Sequence, residues 1–376
     1  MIEPYMVAIC QAERIMARTG GDDKIKENMA SNLKHYSNLI DFICGSRAAG
    51  KPGYTITGQV KLITFAEYAI AHHQAAEADQ KTLNKNEIIE KIAIKIPGPE
   101  TDVLAARAKQ WGIFIAAQGL EHDLEWPDTY FNTGFIISPQ GKVILKYRKT
   151  VTNVPINVHC SVHDLMDAYK NPITKEYDPF PVVDTEIGRL AIMICADMLA
   201  PEIPRVYSMK GADVVLHLTS GMSTSAGGPR PIGVTEAAIQ TRASDNAVYF
   251  VHSNTGPNVG GSYYPKCRNA GYSSIHDYTG TKVAESDDSN EQLVQARIDI
   301  EACRKFREQY MRNPLTLTRT ELYAPYYSQP IYPANTFLKD GPVEEMLEER
   351  QQGYFNQAKE NLKKCYHFYS DKDVKG

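Results

Sequence analysis

Three apolar runs in the chain each close on a side chain that can take part in bond cleavage. "LITFAEYAI" ends its run on the carboxylate of Glu67, "GKVILKYRKT" leads to the ammonium of Lys149, and "GRLAIMICADMLAPEIPR" delivers the thiol of Cys195. A base, a cation and a sulfur nucleophile are what acyl transfer through a thioester requires. Each also has an ordinary structural reading, since a free cysteine is commonly a small core residue and a lysine can carry its charge out to water. In the second stretch, strand alternation puts Leu145, Tyr147 and Lys149 on one side and Lys146 and Arg148 on the other, so Lys149 shares the apolar face, where it either carries its charge out to water or holds a buried charge that needs an acidic partner. In the third, Leu190 to Ile194 are all apolar, as in a strand covered on both faces, and "PEIPR" opens a helix. A cysteine between a strand end and a helix start is expected to have its thiol pKa lowered by nearby N–H groups.

The elements that must position these residues read as alternating strand and helix. "VKLITFAEY", "GIFIAAQGLE", "GFIISPQGKVILKYRK", "RLAIMICAD", "ADVVLHLTS" and "AVYFVHSN" have the length and composition of buried strands, with a hairpin turn inside "IISPQGKVIL". Segments 98–110 and 234–246 read as helices, and the class is α/β with layers of helix and sheet. Residues 1–303 form the main domain, and 304–376 an arm and helix suited to oligomer contacts. The Tyr- and Pro-rich "TELYAPYYSQPIYPANTF" reads as extended, followed by a helix striped with Val343, Met346, Leu347, Tyr354, Ala358, Leu362 and Cys365.

Composition narrows the function classes. At 43% hydrophobic and 23% charged residues with a formal charge of -4, the chain presents no polyanion-binding signature, so nucleic acid is not an expected partner. No apolar run approaches a membrane span and the start lacks a signal-peptide pattern, which predicts a cytoplasmic protein. The seven cysteines are scattered without a CxxC pair, giving no disulfide framework or zinc ribbon.

The glutamate, lysine and cysteine stretches, in this order, resemble the nitrilase (carbon-nitrogen hydrolase) superfamily over about residues 5–302. The segments "IPGPETDVLAARAKQWGIFIAAQGLE", "TRASDNAVYFVHSNTG" and "GYSSIHDYTGTKVAE" are similar to that family's as well. The resemblance implies a four-layer αββα sandwich and a triad of Glu67, Lys149 and Cys195. It implies that Glu67 is the general base, that Lys149 and the N–H of Ala196 hold the oxyanion, and that no metal or organic cofactor takes part. Nitrilases proper usually continue Cys-Trp-Glu, whereas "CADMLAPEIPR" looks like the amidase and carbamoyl-hydrolase branches, so Asp197 points to a small amide as substrate and, with Ala196, is expected among the substrate contacts. "FAEYAI", "LKYRK" and the Tyr-rich arm lean toward the aliphatic amidase and formamidase branch, whose tails wrap around partner subunits, which implies a homo-oligomer. N-carbamoyl hydrolysis or nitrile hydrolysis would use the same triad, and a weak ligand-binding member of the fold is the remaining alternative.

One departure from the family pattern concerns a second active-site glutamate, carried by amidases on the loop after the lysine. Here "VPINVHC" offers Asn157, and Glu176 is the alternative acid, so either residue stands as the substrate-binding candidate. In "HCSVH", His159 and His163 with Asp164 or Asp167 could make a metal site, but zinc-hydrolase spacing is absent and a pocket role for either histidine is the other reading. "SAGGPRP" and "NVGGSYY" match no phosphate loop, and Arg230 is a candidate contact for an acidic group.

Overall fold

The computed structural model describes residues 1–45, 47–48, 51–52, 54–55, 58–76, 79–152, 158–221, 236–260, 271–309, 311–346 and 348–366. Asn157 and Arg230 lie outside the described residues, as do Leu347 and the side chain of Cys365.

Among the described residues the strands form two large sheets. In the first, Gln292–Ile298 runs antiparallel to Tyr5–Gln11, which is parallel to Gly58–Phe65 and through it to Phe114–Glu121; Phe131–Ile137 and Val143–Arg148 follow antiparallel. In the second, Val182–Thr185, Gly188–Ile194, Val214–Leu218, Tyr249–Ser253, Ser274–His276 and Lys282–Glu285 are neighbours in that order, and the three central strands are parallel. Every run read as a strand in the sequence is one. The helices expected at 98–110 and 234–246 are Pro99–Trp111 and Glu236–Ser244.

Strand alternation explains why the sheets stack. Val7, Ile9, Leu62, Phe114, Leu145 and Tyr147 pack against Leu190, Ile192 and Leu216 of the second sheet, in one core between the sheets. The opposite residues Met6, Ala8, Val60, Ile63, Ile115 and Phe135 pack under Met29, Leu33 and Tyr36 of helix Ile25–Gly45 and under Leu104 of Pro99–Trp111. On the far side of the second sheet, Ile203 and Tyr207 of helix Glu202–Met209 and Ile239 of Glu236–Ser244 complete a fourth layer. The order is helix, sheet, sheet, helix, the αββα sandwich that the resemblance implied.

Stacking two sheets brings together two parallel strand ends that the active residues need. The approach is closest at Gly134, where an added Cβ would lie 2.6 Å from Cγ2 of Ile192, the strand that leads to Cys195. Glycine is required there for space rather than for its backbone freedom.

The C-terminal part departs from the sequence expectation. Helix Ile300–Glu308 crosses the expected boundary at residue 303 and is seated by buried Ile300 and Cys303. The stretch expected to be extended instead contains the short helices Thr320–Tyr327 and Thr336–Asp340. The last helix runs Glu349–Tyr366, so Val343 and Met346 precede it and pack as loop residues on the core that the first sheet shares with its helices. Spacing alone joined residues from a loop and a helix into one stripe. No helix among the described residues is long and apolar enough to cross a membrane.

Replacing Gly134 by Val forces either Ile192 or the strand pairing to shift, and overpacking of this kind costs about 1 to 3 kcal/mol. Gly134→Val is expected to lower the midpoint of urea unfolding; an unchanged midpoint would contradict this close sheet contact.

Candidate active site

Glu67 lies two residues beyond the strand Gly58–Phe65, Lys149 one beyond Val143–Arg148, and Cys195 directly after Gly188–Ile194. Lys149 extends its strand's pairing, because its N–H donates to the Asn132 carbonyl at 2.9 Å. Its side chain turns between the sheets, as alternation required, while Lys146 and Arg148 on the other face pair with Glu121.

The Lys149 Nζ donates to Oε1 of Glu67 at 2.9 Å, with both side chains buried. The same oxygen accepts from Nδ2 of Asn132 at 2.8 Å, and Oε2 accepts the N–H of Ser220 at 3.1 Å. Asn132 is held in turn by Gln118, whose Nε2 donates to its Oδ1 at 2.7 Å and whose Oε1 accepts the N–H of Tyr68 at 2.6 Å. Arg14 donates through Nη1 to the carbonyl of Glu67 at 3.0 Å, tying the backbone as well. The Cys195 thiol lies beside the same carboxylate, close enough for each group to shift the other's ionisation, which joins all three residues in one cluster.

The protonation states follow from these contacts. Burial alone would raise the Glu67 pKa, but the Lys149 charge and the hydrogen bonds from Lys149, Asn132 and Cys195 outweigh it and hold the carboxyl below its usual value. Burial would likewise discharge Lys149, and the Glu67 carboxylate outweighs it, so the ammonium is more firmly protonated than usual. For Cys195, desolvation and then the negative Glu67 outweigh the pull of Lys149, and the thiol is pushed up to about 11.

This corrects the expectation of a lowered thiol pKa. Cys195 does not cap a long helix: Cys195–Leu199 is a 3-10 turn, and the helix Glu202–Met209 starts later. A short turn gathers little dipole, and the carboxylate beside the sulfur works against ionisation. The resting arrangement is therefore a neutral thiol beside an ionised base.

Cys195 has φ of +46°, a left-handed conformation that costs a side-chain-bearing residue about 1 to 2 kcal/mol. The turn is held by Asp197, which accepts the N–H of Ile194 at 2.8 Å, the N–H of Val151 at 2.8 Å and the Tyr147 hydroxyl at 2.7 Å. Asp197 was expected among the substrate contacts. It is instead fully buried and occupied with fixing the nucleophile turn to the segment that follows Lys149. Burial raises its pKa to about 6 even against Lys149 and those N–H groups. Ala196 is buried in the first turn of the 3-10 segment, where helical bonding leaves N–H groups free for a ligand.

Glu176 is exposed on a turn, where its carbonyl accepts the N–H of Asn171 at 2.8 Å, and it does not join the buried cluster. His163 is half-buried against Tyr332, and Asp164 is taken up by Ser161 and Thr336. Among the described residues, no group of three or more His, Cys, Asp or Glu side chains is arranged to hold a metal ion. His159 is buried, with its ring close enough to Lys149 and His73 for their charges to affect it, and burial pushes its pKa well below the usual value.

The sequence profile of the family described as carbon-nitrogen hydrolase matches residues 6–308. The chain belongs to the carbon-nitrogen hydrolase family. It is a hydrolase of carbon–nitrogen bonds other than peptide bonds. A formamidase of Bacillus cereus (strain AH820) is 28% identical over 278 residues, covering 73% of this chain and 70% of the relative. Among solved structures, Saccharomyces cerevisiae Nit3, a member of branch 10 of the nitrilase superfamily, superposes with a TM-score of 0.57 at 21% identity, covering 81% of this chain and 94% of that one. An amidase from Nesterenkonia sp. AN1, with the acetamide moiety of fluoroacetamide added covalently at its active-site cysteine, gives a TM-score of 0.55 at 14% identity, covering 86% and 98%. At these identities the two structures speak for the fold.

Sequence reasoning missed the hydrolase's supporting residues. Asn132, Gln118 and Arg14 are polar side chains buried to within 2% exposure in or beside strands, and in a sequence each looks like an ordinary polar residue. "YFNTG" did carry a signal, an asparagine inside an otherwise apolar strand that must find partners.

With the thiol near pKa 11, alkylation of Cys195 by iodoacetamide is expected to speed up about tenfold per pH unit from pH 7 toward pH 10, following the thiolate fraction. A rate already level at pH 8, read by mass spectrometry of the Cys195 peptide, would contradict these electrostatics.

Proposed function

We propose that this hydrolase cleaves the C–N bond of a small amide through a thioester on Cys195, with Glu67 and Lys149 completing the catalytic group. The observation that carries the reading is one buried carboxylate shared by the other two groups: Glu67 accepts from Lys149 at 2.9 Å and lies beside the Cys195 thiol, whose ionisation it opposes. Support also comes from the formamidase relative, which is what this chain is similar to over most of its length.

The chemistry follows from the resting protonation states. A neutral thiol is a weak nucleophile, so its proton must leave as sulfur attacks the amide carbon, and the ionised Glu67 carboxylate is the base beside it. The carbonyl π pair moves to oxygen, and the developing charge is met by the Lys149 ammonium and the Ala196 N–H, donors of a kind worth about 3 to 4 kcal/mol each. Glu67 then returns the proton to the leaving nitrogen, the C–N bond breaks, and ammonia or an amine departs. Water activated by Glu67 attacks the thioester, restoring the thiol and releasing the acid. Lys149 stays protonated throughout, and its charge keeps the Glu67 carboxylate ionised and so able to receive the sulfur proton as attack proceeds.

The oligomer reading rests on the C-terminal part. Leu317, Leu322, Tyr323, Tyr326 and Tyr327 are exposed, and Leu317, Tyr323 and Tyr327 lie beside helix Glu202–Met209, where the Tyr327 hydroxyl donates to Glu202 at 2.8 Å. Apolar surface of this density favours contact with a second copy of the chain.

Ammonia release from formamide and acetamide tests the function. The unaltered enzyme is expected to turn over at least one of them, and Cys195→Ala to lose all measurable turnover. Glu67→Gln is expected to fall by about 10²-fold or more, the size of a lost general base. Turnover that persists in Cys195→Ala would overturn the assignment.

A further inference from the structure

Two buried histidines beside the nucleophile have no part in the chemistry above. His217 on strand Val214–Leu218 and His252 on strand Tyr249–Ser253 are register neighbours, 0% and 2% exposed. His217 Nε2 lies 3.0 Å from the carbonyl oxygen of Cys195, and its Nδ1 lies 2.9 Å from Nδ1 of His252.

The tautomers follow from the partners. A carbonyl oxygen can only accept, so His217 Nε2 carries the proton. Burial pushes the His217 pKa down to about 4, against the opposing pull of the Cys195 carbonyl, so near neutral pH the ring has one proton and its Nδ1 must accept. His252 therefore supplies the N–H, from its own Nδ1. The chain of donation runs from His252 to His217 to the Cys195 carbonyl.

That carbonyl belongs to the peptide whose N–H is that of Ala196. Drawing electron density onto the oxygen of an amide makes its N–H more positive, so hydrogen bonds in series strengthen one another. We propose that His217 is a positioning residue: its bond to the Cys195 carbonyl orients and polarises the Cys195–Ala196 peptide, so that the Ala196 N–H becomes a stronger oxyanion donor, and His252 sets the tautomer that allows it. The bond also anchors a peptide next to the left-handed Cys195, which has every reason to relax. The inference rests on the amidohydrolase reading and adds to it a residue that touches neither substrate nor sulfur.

Two reagents separate this role from a general structural one. Acetaldehyde adds to the thiol reversibly: the sulfur–carbon bond forms, the π pair goes to oxygen, and the thiol proton ends on that oxygen or on Glu67, leaving an oxygen where the tetrahedral intermediate has one. Iodoacetamide alkylates the same sulfur with loss of iodide and makes no such oxygen. For His217→Phe, which keeps a ring and removes both nitrogens, acetaldehyde affinity and kcat on the best amide are expected to fall about 10- to 100-fold, less than loss of a whole donor. KM and the iodoacetamide rate should stay within about threefold, and His217→Gln, whose amide can still donate, should recover part of the loss. Equal falls with both reagents, or no fall with acetaldehyde, would overturn the proposal. If His217→Phe does not melt cooperatively, His252→Phe is read instead and must show the same divergence at smaller size. Unaltered protein that takes up neither reagent at Cys195 overturns the thiol-nucleophile reading itself, before any variant is made.

Discussion

An ion pair sealed between two sheets governs the site. Lys149 and Glu67 meet at 2.9 Å with side-chain exposures of 2% and 1%, where desolvation of either charge alone would cost several kcal/mol. Such a pair persists only when its remaining valences are filled, and here Asn132 and Ser220 fill those of Glu67. Removing one partner would leave the other as a buried uncompensated charge. The arrangement is thus an obligation on the rest of the fold, which must deliver several strand ends to one point.

The αββα stack meets that obligation. Glu67 and Lys149 leave strands of one sheet, Cys195, Ser220 and the histidines come from the other, and the close approach at Gly134 sets the separation between them. Polar pins then hold the crossing segments: Asp197 ties the nucleophile turn to Val151, and Arg14 reaches the Glu67 carbonyl and Ser220. The electrostatic result is a base kept ionised and a nucleophile kept neutral. In the proposed reaction, a thiol near pKa 11 is activated only when a carbonyl carbon is there to accept its electrons as Glu67 takes its proton.

Much of this was legible in the chain because it depends on local pattern. The apolar run Leu190 to Ile194 specified a doubly covered strand, and alternation through Leu145 and Tyr147 specified which way Lys149 must face. What the sequence did not reveal depends on contacts between segments far apart. The direction of the Cys195 shift is set first by burial between the sheets and then by Glu67, a residue from another sheet, and a local helix-start argument had no access to either. Asp197 looked like a substrate contact because its position beside the nucleophile is visible and its three bonds to Tyr147, Val151 and Ile194 are not. Tyr- and Pro-rich residues read as an extended arm, yet Thr320–Tyr327 is helical even with Pro325 inside it.

The claim on which all of this turns is that Cys195 carries the acyl group during turnover. Acid quenching in the steady state with acetamide, followed by mass analysis of the Cys195 peptide, measures it directly. The account predicts a peptide heavier by one acetyl group, lost on treatment with hydroxylamine. An unmodified Cys195 peptide throughout active turnover, with the acyl group on another residue or on none, would contradict it.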